Sequence, residues 1–425
     1  MRRGLSVGSR AVLGREAALH MEILNLCPDD KISADKVAFY RRFSPAGVHH
    51  RFVTFSRRAD ALSCLADAPG VELSTPEREL ARLACHPVDA IFVHCLAEPG
   101  NVGFLARIPP GVKLFWFAWG YDVYGSRLFR RGDFKTLGRR PPLLPSVTLP
   151  PVVEGEWLGP LTRGAFFSLP LRARLWFKSA LQRTLFRPWA AFAAKVYGDV
   201  LRRVDYFSGV FPLEHGIVAR NPDVRAAPVR YRNTCLEAVQ WGDVDAPVCL
   251  GGDVRVGNSG DAWNNHVDLF RSMSHLDFRG RKVRVPLTYG GTAGYRRSVV
   301  AEGRAAFGEA FAPIEGYLPP SQYLAEMDSC AWLVMGAVRQ HGVINIEDAL
   351  WKGMKVFMPR GSMGFRHFSD LGCVVFSVED DLTGAALSSR LPFADVRRNR
   401  EALRRGRFTP RDCAAMLADL YALIP

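Results

Sequence analysis

The chain has 425 residues, 48% hydrophobic and 23% charged, the make-up of a folded protein large enough for two or three domains, which excludes disorder as its main theme. Its longest apolar runs, such as 90–97 and 114–119, fall far short of the roughly 18 residues a membrane-spanning helix requires. Net charge is +14, yet residues 126–203 alone hold 15 Lys and Arg against 4 Asp and Glu while 246–425 hold 22 against 19, so the excess marks one segment that meets an anionic surface rather than a uniformly basic nucleic-acid binder.

Residues 1–20 carry Arg2, Arg3, Arg10, Arg15 and Glu16, lack the apolar core of a secretory signal, and read as an appendage on a cytosolic protein. Met21 is an alternative start. Nine cysteines without a CxxC pair suit reduced thiols packed in cores. The first strand is expected at 21–27, before the turn Pro28-Asp29-Asp30, and further short apolar runs follow at 52–55, 88–95, 112–119 and 206–210. A second series occupies 254–257, 283–287, 332–335, 356–358 and 374–376, with helix-length segments between. Such alternation predicts an α/β fold of two Rossmann-like, doubly wound domains, 21–245 and 246–425, facing a cleft and linked near 241–249. A last helix, about 411–423, is expected to pack back across the interface.

The segment 126–203 breaks the rhythm. Its first half is rich in proline; its second interleaves Phe166, Phe167, Trp176, Phe177, Phe186 and Trp189 with Arg172, Arg174, Lys178, Arg183 and Arg187 at roughly helical spacing. An insertion of this kind suits an anionic membrane interface, each cation contributing on the order of 1 kcal/mol. A helical hairpin docked on the first domain with its cations solvated fits the same pattern.

Four runs carry candidate chemistry. In Asp253-Val-Arg-Val-Gly257-Asn258-Ser259-Gly260-Asp261 a strand stops at a glycine turn before a helix, which aims backbone N–H groups and the helix dipole at a phosphate, although ordinary turn chemistry uses the same residues. Tyr289-Gly290-Gly291 follows the next strand, where the tyrosine can stack on a base or the glycines can simply turn the chain. The run Arg339-Gln340-His341-Gly342, with Glu347 one turn into the next helix, offers a guanidinium for a pyrophosphate and a carboxylate for a ribose diol; acidic residues at a helix start also serve the dipole. In the first domain, His94 and the run Trp116-x-x-Trp119-Gly120-x-Asp122-x-Tyr124 end successive strands on the cleft side, joining flat apolar faces to a carboxylate as sugar sites do. His94 is equally placed to be a core histidine. No Gly-x-Ser-x-Gly, P-loop, His-Glu-x-x-His or Gly-x-Gly-x-x-Gly run is present, and neither a cofactor nor a metal is called for; Asp243 and Asp245, an acidic pair, fall in the linker.

Taken in order, 256–261 with Asn264 and His266, Val285-Pro286 with Tyr289, Tyr323-Leu324, Arg339-Gln340 with Gly342, and the 116–124 run resemble the bacterial TDP-Fuc4NAc:lipid II transferases of enterobacterial common antigen synthesis (glycosyltransferase family 56). The likeness is good over about 250–425 and recognisable over 21–124 and 197–220; residues 127–190 lack a counterpart and 344–347 depart from the pattern. The resemblance implies a two-domain glycosyltransferase of the GT-B type, peripheral on the cytoplasmic face of the inner membrane. It would move an acetamido-dideoxy hexose from a nucleotide diphosphate sugar, such as dTDP-Fuc4NAc, to a polyprenyl-pyrophosphate-linked acceptor. It maps Gly257, Asn258, Ser259, Gly260, Arg339 and Gly342 to the donor phosphates, Tyr289 to the nucleotide, and Trp119, Asp122 and His94 to the sugar or acceptor side. The residues themselves add Glu347 to the donor side and Trp116 and Tyr124 to the acceptor side, with Asp122 or His94, Asp122 being preferred, taking the acceptor proton if the transfer inverts. Two other readings are a basic protein binding nucleic acid or acidic polymer without catalysis, and a sugar-nucleotide epimerase.

Overall fold

The computed structural model describes residues 20–30, 32–55, 70–98, 100–125, 187–232, 241–278 and 280–425. Most of the appendage, residues 126–186 of the basic segment, and with them the proline-rich half, lie outside the described residues.

The amino-terminal half runs β1 (Met21–Leu26), α1 (Ile32–Phe43), β2 (Val48–Phe55), β3 (Val71–Ser74), α2 (Pro76–Cys85), β4 (Ala90–His94), α3 (Asn101–Leu105), β5 (Lys113–Phe117), α4 (Arg187–Arg203), β6 (Tyr206–Ser208), α5 (Glu214–Val218) and β7 (Ala227–Pro228). Its seven strands form one sheet in the order β3-β2-β1-β4-β5-β6-β7, all pairs parallel. The order reverses between β1 and β4, the switch point that opens a crevice at the carboxyl ends of such sheets. Period-two alternation sorts the side chains. Leu24, Leu26, Ile91, Val93, Leu114 and Trp116 join one core, whereas Ile23, Phe92, Phe115 and Phe117 join another on the opposite face.

The second half runs β8 (Asp253–Val256), α6 (His266–Met273), β9 (Val283–Pro286), α7 (Ala293–Phe307), β10 (Phe311–Ile314), α8 (Pro320–Asp328), β11 (Cys330–Val334), α9 (Val343–Lys352), β12 (Lys355–Met358), α10 (Met363–Asp370), β13 (Phe376–Ser377), α11 (Gly384–Ser388), α12 (Phe393–Gly406) and α13 (Pro410–Tyr421). Six parallel strands order as β10-β9-β8-β11-β12-β13. Strands β4 and β11 are buried at every position, as sheets covered by helices on both faces require. The expected α/β architecture of two doubly wound domains is therefore the observed one.

Some details differ from the sequence expectation. β2 starts four residues early because Val48-His-His-Arg reads as polar, and β3, β7 and β10 are too short or too polar to stand out as apolar runs. The strand expected at 374–376 is displaced to Phe376–Ser377.

Helix α13 does return to the first domain. Thr409 and Asp412 close a capping box at its start, and Cys413, Met416, Leu417, Leu420 and Tyr421 enter the core beside β1 and β2. The Tyr421 hydroxyl lies 2.6 Å from Ser44 Oγ and 2.9 Å from His50 Nε2. The connection near 241–249 is held on the second domain: Trp241 stacks on Trp351 at 4.7 Å and 7°, and Arg400 Nη1 donates to the carbonyls of Val244 (2.9 Å) and Ala246 (2.6 Å). Among the described residues no helix is long and apolar enough to cross a membrane.

Candidate functional site

Three loops converge above the carboxyl ends of β8, β9 and β11. The first begins at Gly257, where a φ of +70° and a hypothetical Cβ 3.0 Å from His266 Nε2 and 3.1 Å from Asn264 Oδ1 make any side chain strained and crowded. Asn264 organises the turn: its amide donates to the Ser259 carbonyl (2.9 Å) and hydroxyl (3.2 Å), its oxygen accepts from Asn258 N (3.3 Å), and its Nδ2 stands 3.4 Å from His341 Nε2 on the β11 loop. Gly260 N donates to the Tyr289 carbonyl at 2.7 Å, which docks the β9 loop against the first.

This geometry corrects one expectation. Gly257 N donates to Val334 O at 2.9 Å, so with Asn258 N and Gly260 N three of the four amides of Gly257–Gly260 are spent inside the protein. Nor does a helix begin directly behind Gly260, because a single 3-10 turn, Ala262–Asn264, intervenes before α6. The polar atoms left over belong to side chains instead. Asn258 Oδ1, His266 Nε2 and Arg339 Nε are all buried with no hydrogen-bond partner, an arrangement that costs stability unless a polar ligand completes it. Tyr289, half exposed at 56%, places its hydroxyl 3.4 Å from Asn258 Nδ2, and Gly342, at the start of α9, sits against the Asn258 side chain.

Arg339 lies at the seam of the two domains. Its guanidinium stacks on Trp263 at 4.7 Å and on Tyr124 of the first domain at 5.9 Å, and Nη1 donates to Gln340 O at 3.0 Å. Burial lowers its pKa from the usual value, an effect opposed by Asp261, Tyr124 and Glu214; an arginine stays charged regardless.

The first-domain wall is arranged differently from the sequence expectation. Asp122, in a π-helical turn (Tyr121–Gly125), is fully buried. Its Oδ2 accepts from Trp116 Nε1 (2.6 Å) and Leu96 N (3.0 Å), and its Oδ1 from Trp119 N (2.9 Å). Burial raises its pKa and these donors lower it. The carboxylate expected to be the base thus serves three N–H donors and ties the ends of β4 and β5 together. Trp116, expected on the acceptor side, is in the core against Phe207 at 4.9 Å. His94 occupies the alternative weighed for it: it is buried among Tyr40, Phe117 and Tyr231, with Nε2 3.3 Å from Asn25 Oδ1, and burial holds its pKa far below the usual imidazole value. Trp119 and Tyr124 remain partly exposed.

Glu347, expected to meet a diol, is likewise engaged elsewhere. Its carboxylate pairs with Arg407 and lies 3.8 Å from Arg232, joining α9 to the segment before α13 and to the strand-end segment of the first domain; burial raises its pKa against the pull of both guanidiniums.

Three residues at the site escaped the sequence reading. Lys36 on α1 is buried with Nζ 3.5 Å from the Trp119 ring centre, and burial lowers its pKa to about 8. Trp263 supports Arg339, and Glu214 opens α5 with a carboxyl raised by burial to about 7. A lone lysine or glutamate in a helical run carries no signal of burial. The one cluster of described residues with metal-ligand spacing, His20, Glu22 and His49, stands at the amino ends of β1 and β2, away from the loops.

No family model matches the chain, and no curated protein matches it in sequence. Solved structures do match in fold. HepE of Anabaena, in complex with UDP and glucose, aligns over 95% of this chain and 100% of its own at 11% identity and a TM-score of 0.54. Sucrose-phosphate synthase of Thermosynechococcus elongatus aligns over 95% and 99% at 12% identity and 0.54, and a glycosyltransferase of Rickettsia africae over 95% and 98% at 10% identity and 0.55. The chain has the two-domain architecture of GT-B glycosyltransferases.

Proposed function

We propose that the chain is a glycosyltransferase that takes a hexosyl group from a nucleoside diphosphate sugar held on the second domain. The observation that carries this reading is the convergence of three unsatisfied polar side-chain atoms, on Asn258, His266 and Arg339, beneath a crevice whose opposite wall carries Trp119 and Tyr124. Ser259, Tyr289 and Gly342 complete the donor side; Asp122, Trp116 and His94 shape the acceptor wall from within.

Glycosyl transfer develops positive charge on the sugar and negative charge on the departing diphosphate. Arg339, buried and stacked between Trp263 and Tyr124, meets that negative charge with little reorganisation, the situation in which electrostatic stabilisation is strongest. In this reading no metal is needed for the leaving group.

The finer assignment follows the resemblance: an acetamido-dideoxy hexose from dTDP-Fuc4NAc or a similar donor, passed to a polyprenyl-pyrophosphate-linked oligosaccharide by an enzyme peripheral to the cytoplasmic face of the inner membrane. The basic, aromatic segment at 126–203 supports it, since a lipid-linked acceptor must be met at the bilayer surface. A thermal-shift screen of dTDP, UDP, GDP and CMP tests the whole: at 100 times its dissociation constant a ligand stabilises the fold by about 2.7 kcal/mol. If none of the four raises the melting temperature, the nucleotide-sugar reading is wrong.

A further inference from the structure

The first-domain wall holds a buried charge with no counter-ion among the described residues. Lys36, on α1, is one of the largest side chains to be fully buried. Its Nζ makes no hydrogen bond and no ion pair. What it touches is the indole of Trp119, whose ring centre lies 3.5 Å away. Taking an ammonium out of water is costly unless it is paired and hydrogen-bonded, and one aromatic face returns only part of that cost. An apolar side chain would support the indole as well, so packing does not account for the charge.

The groups that face Lys36 leave it unneutralised. Cys27 lies just past β1, Asp30 on the turn behind it, Asp35 on α1 itself, and His94 and Cys95 at the end of β4. Burial pushes both thiols up, Cys27 to about 12, and holds His94 far below the usual imidazole value, so near neutral pH these three bring no negative charge. Asp30 and Asp35 attract the ammonium without bonding to it.

Trp119 connects this charge to the crevice. It is partly exposed, its backbone N donates to Asp122 Oδ1 at 2.9 Å, and its neighbour Gly120 lies against the Gln340 side chain of the second domain. Asp122 also accepts from Leu96 N at 3.0 Å, directly after Cys95, a buried non-glycine residue at a φ of +74°. Strain of this kind persists only where the surroundings over-determine it, and it concentrates at functional sites. Ring and backbone of Trp119 are thus both held, with the ammonium against the ring. The charge acts without being reached. A group resting on the exposed indole stands about 7 Å from Nζ, where at an effective dielectric constant of about 20 two unit charges alter an equilibrium by roughly 50-fold, which solvent screening reduces to about tenfold.

Resting on the glycosyltransferase reading, we infer that Lys36 makes this wall select an anionic acceptor, one that carries a phosphate or carboxylate group beside Trp119. A cation against the ring favours a negative group near its exposed part and disfavours the electron-poor C–H groups of a neutral sugar face. A phosphate belongs to a lipid-linked acceptor and a carboxylate to an acidic sugar; both present the same charge to Lys36.

The test compares the full chain with Lys36→Met, which removes the charge at similar volume, and Lys36→Arg, which keeps it. With the donor site saturated by whichever of dTDP, UDP and GDP binds tightest, NMR titration measures geranyl pyrophosphate against geraniol and methyl glucuronide against methyl glucoside. At pH 7 the parent is expected to bind at least one anion about tenfold more tightly than its neutral counterpart, K36M to lose that preference and K36R to retain it. The anion preferred identifies the source, lipid pyrophosphate or acidic sugar. In the parent alone the preference should fall as pH rises past about 8, since burial lowers the Lys36 pKa to about 8, and this arm decides the matter if K36M does not fold. Anions bound by the parent no better than the neutral probes, a preference undiminished in K36M, or one constant from pH 7 to pH 9.5 would overturn the inference. A parent that binds no nucleotide instead removes the reading beneath it, so the two failures are distinct.

Discussion

Gly120 and Gln340 meet across the inter-domain crevice: at a φ of +87° Gly120 presents bare backbone to the Gln340 side chain, into which a Cβ would collide, with Arg339 Nη1 only 3.3 Å from the same point. The contact holds the arginine against the first domain. Gly120→Ala combines a strained backbone with this collision and is expected to cost roughly 1–3 kcal/mol. It should also weaken nucleotide-induced stabilisation by parting the two walls. Equal melting temperatures for variant and parent, with and without dTDP, would contradict the closeness of this contact.

Asp122→Asn separates scaffold from base. Asparagine has one acceptor oxygen where the carboxylate serves three N–H donors, so at least one buried donor is orphaned and stability falls by about 1–3 kcal/mol. Urea denaturation reads this as a lower midpoint at unchanged slope. A steep fall in turnover with an unshifted midpoint would return Asp122 to the chemistry.

Much of the fold was legible because strands covered on both faces, such as Ala90–His94 and Cys330–Val334, must be written as apolar runs. Loop positions were legible too, since glycine and asparagine advertise where strands stop. Roles were not. Glu347 looked like a ligand for hydroxyls, but its partner Arg407 is sixty positions away in sequence, and Asp122 is filled by Leu96 and Trp116, reached only through strand pairing. Glu214 stood in a run that reads as any helix start. Its environment is supplied by Tyr124 and Arg339 from separate loops.

Glu347→Gln is expected to be more damaging than its surface-like spacing suggests. Two guanidiniums, on Arg407 and Arg232, would remain at 7% and partial exposure around a neutral amide, and breaking a buried pair on one side costs about 3–5 kcal/mol. The paired change Glu347→Leu with Arg407→Leu should recover part of the loss in urea denaturation. No recovery would mean that the pair is not the source.

Stability should depend on pH through Glu214 with a definite sign. The folded pKa of about 7 lies above the usual 4.5, so the folded protein binds a proton more tightly than the unfolded chain. Stability from this group is complete below about pH 4.5 and declines as pH rises, reaching its full loss, on the order of 3 kcal/mol, above about pH 7. Glu214→Gln removes that slope. The difference between parent and variant in thermal denaturation should therefore widen from pH 5 to pH 7.5; a difference that stays constant would show the carboxyl titrating near its ordinary value.

The charge excess gives the last expectation. Residues 127–190 hold 12 Lys and Arg against 3 Asp and Glu, interleaved with aromatics, and each cation near an anionic bilayer contributes about 1 kcal/mol, an attraction that salt screens within a Debye length of roughly 10 Å at 0.1 M. The full chain should sediment with phosphatidylglycerol vesicles at low salt, less at 0.5 M salt, and little with phosphatidylcholine alone. Deleting 127–190 should leave the protein in the supernatant while its stabilisation by nucleotide persists, since the loops around Arg339 come from elsewhere in the chain. Continued sedimentation of the deletion variant would move the membrane contact to another surface, and loss of nucleotide stabilisation would show instead that the segment supports the fold of the first domain.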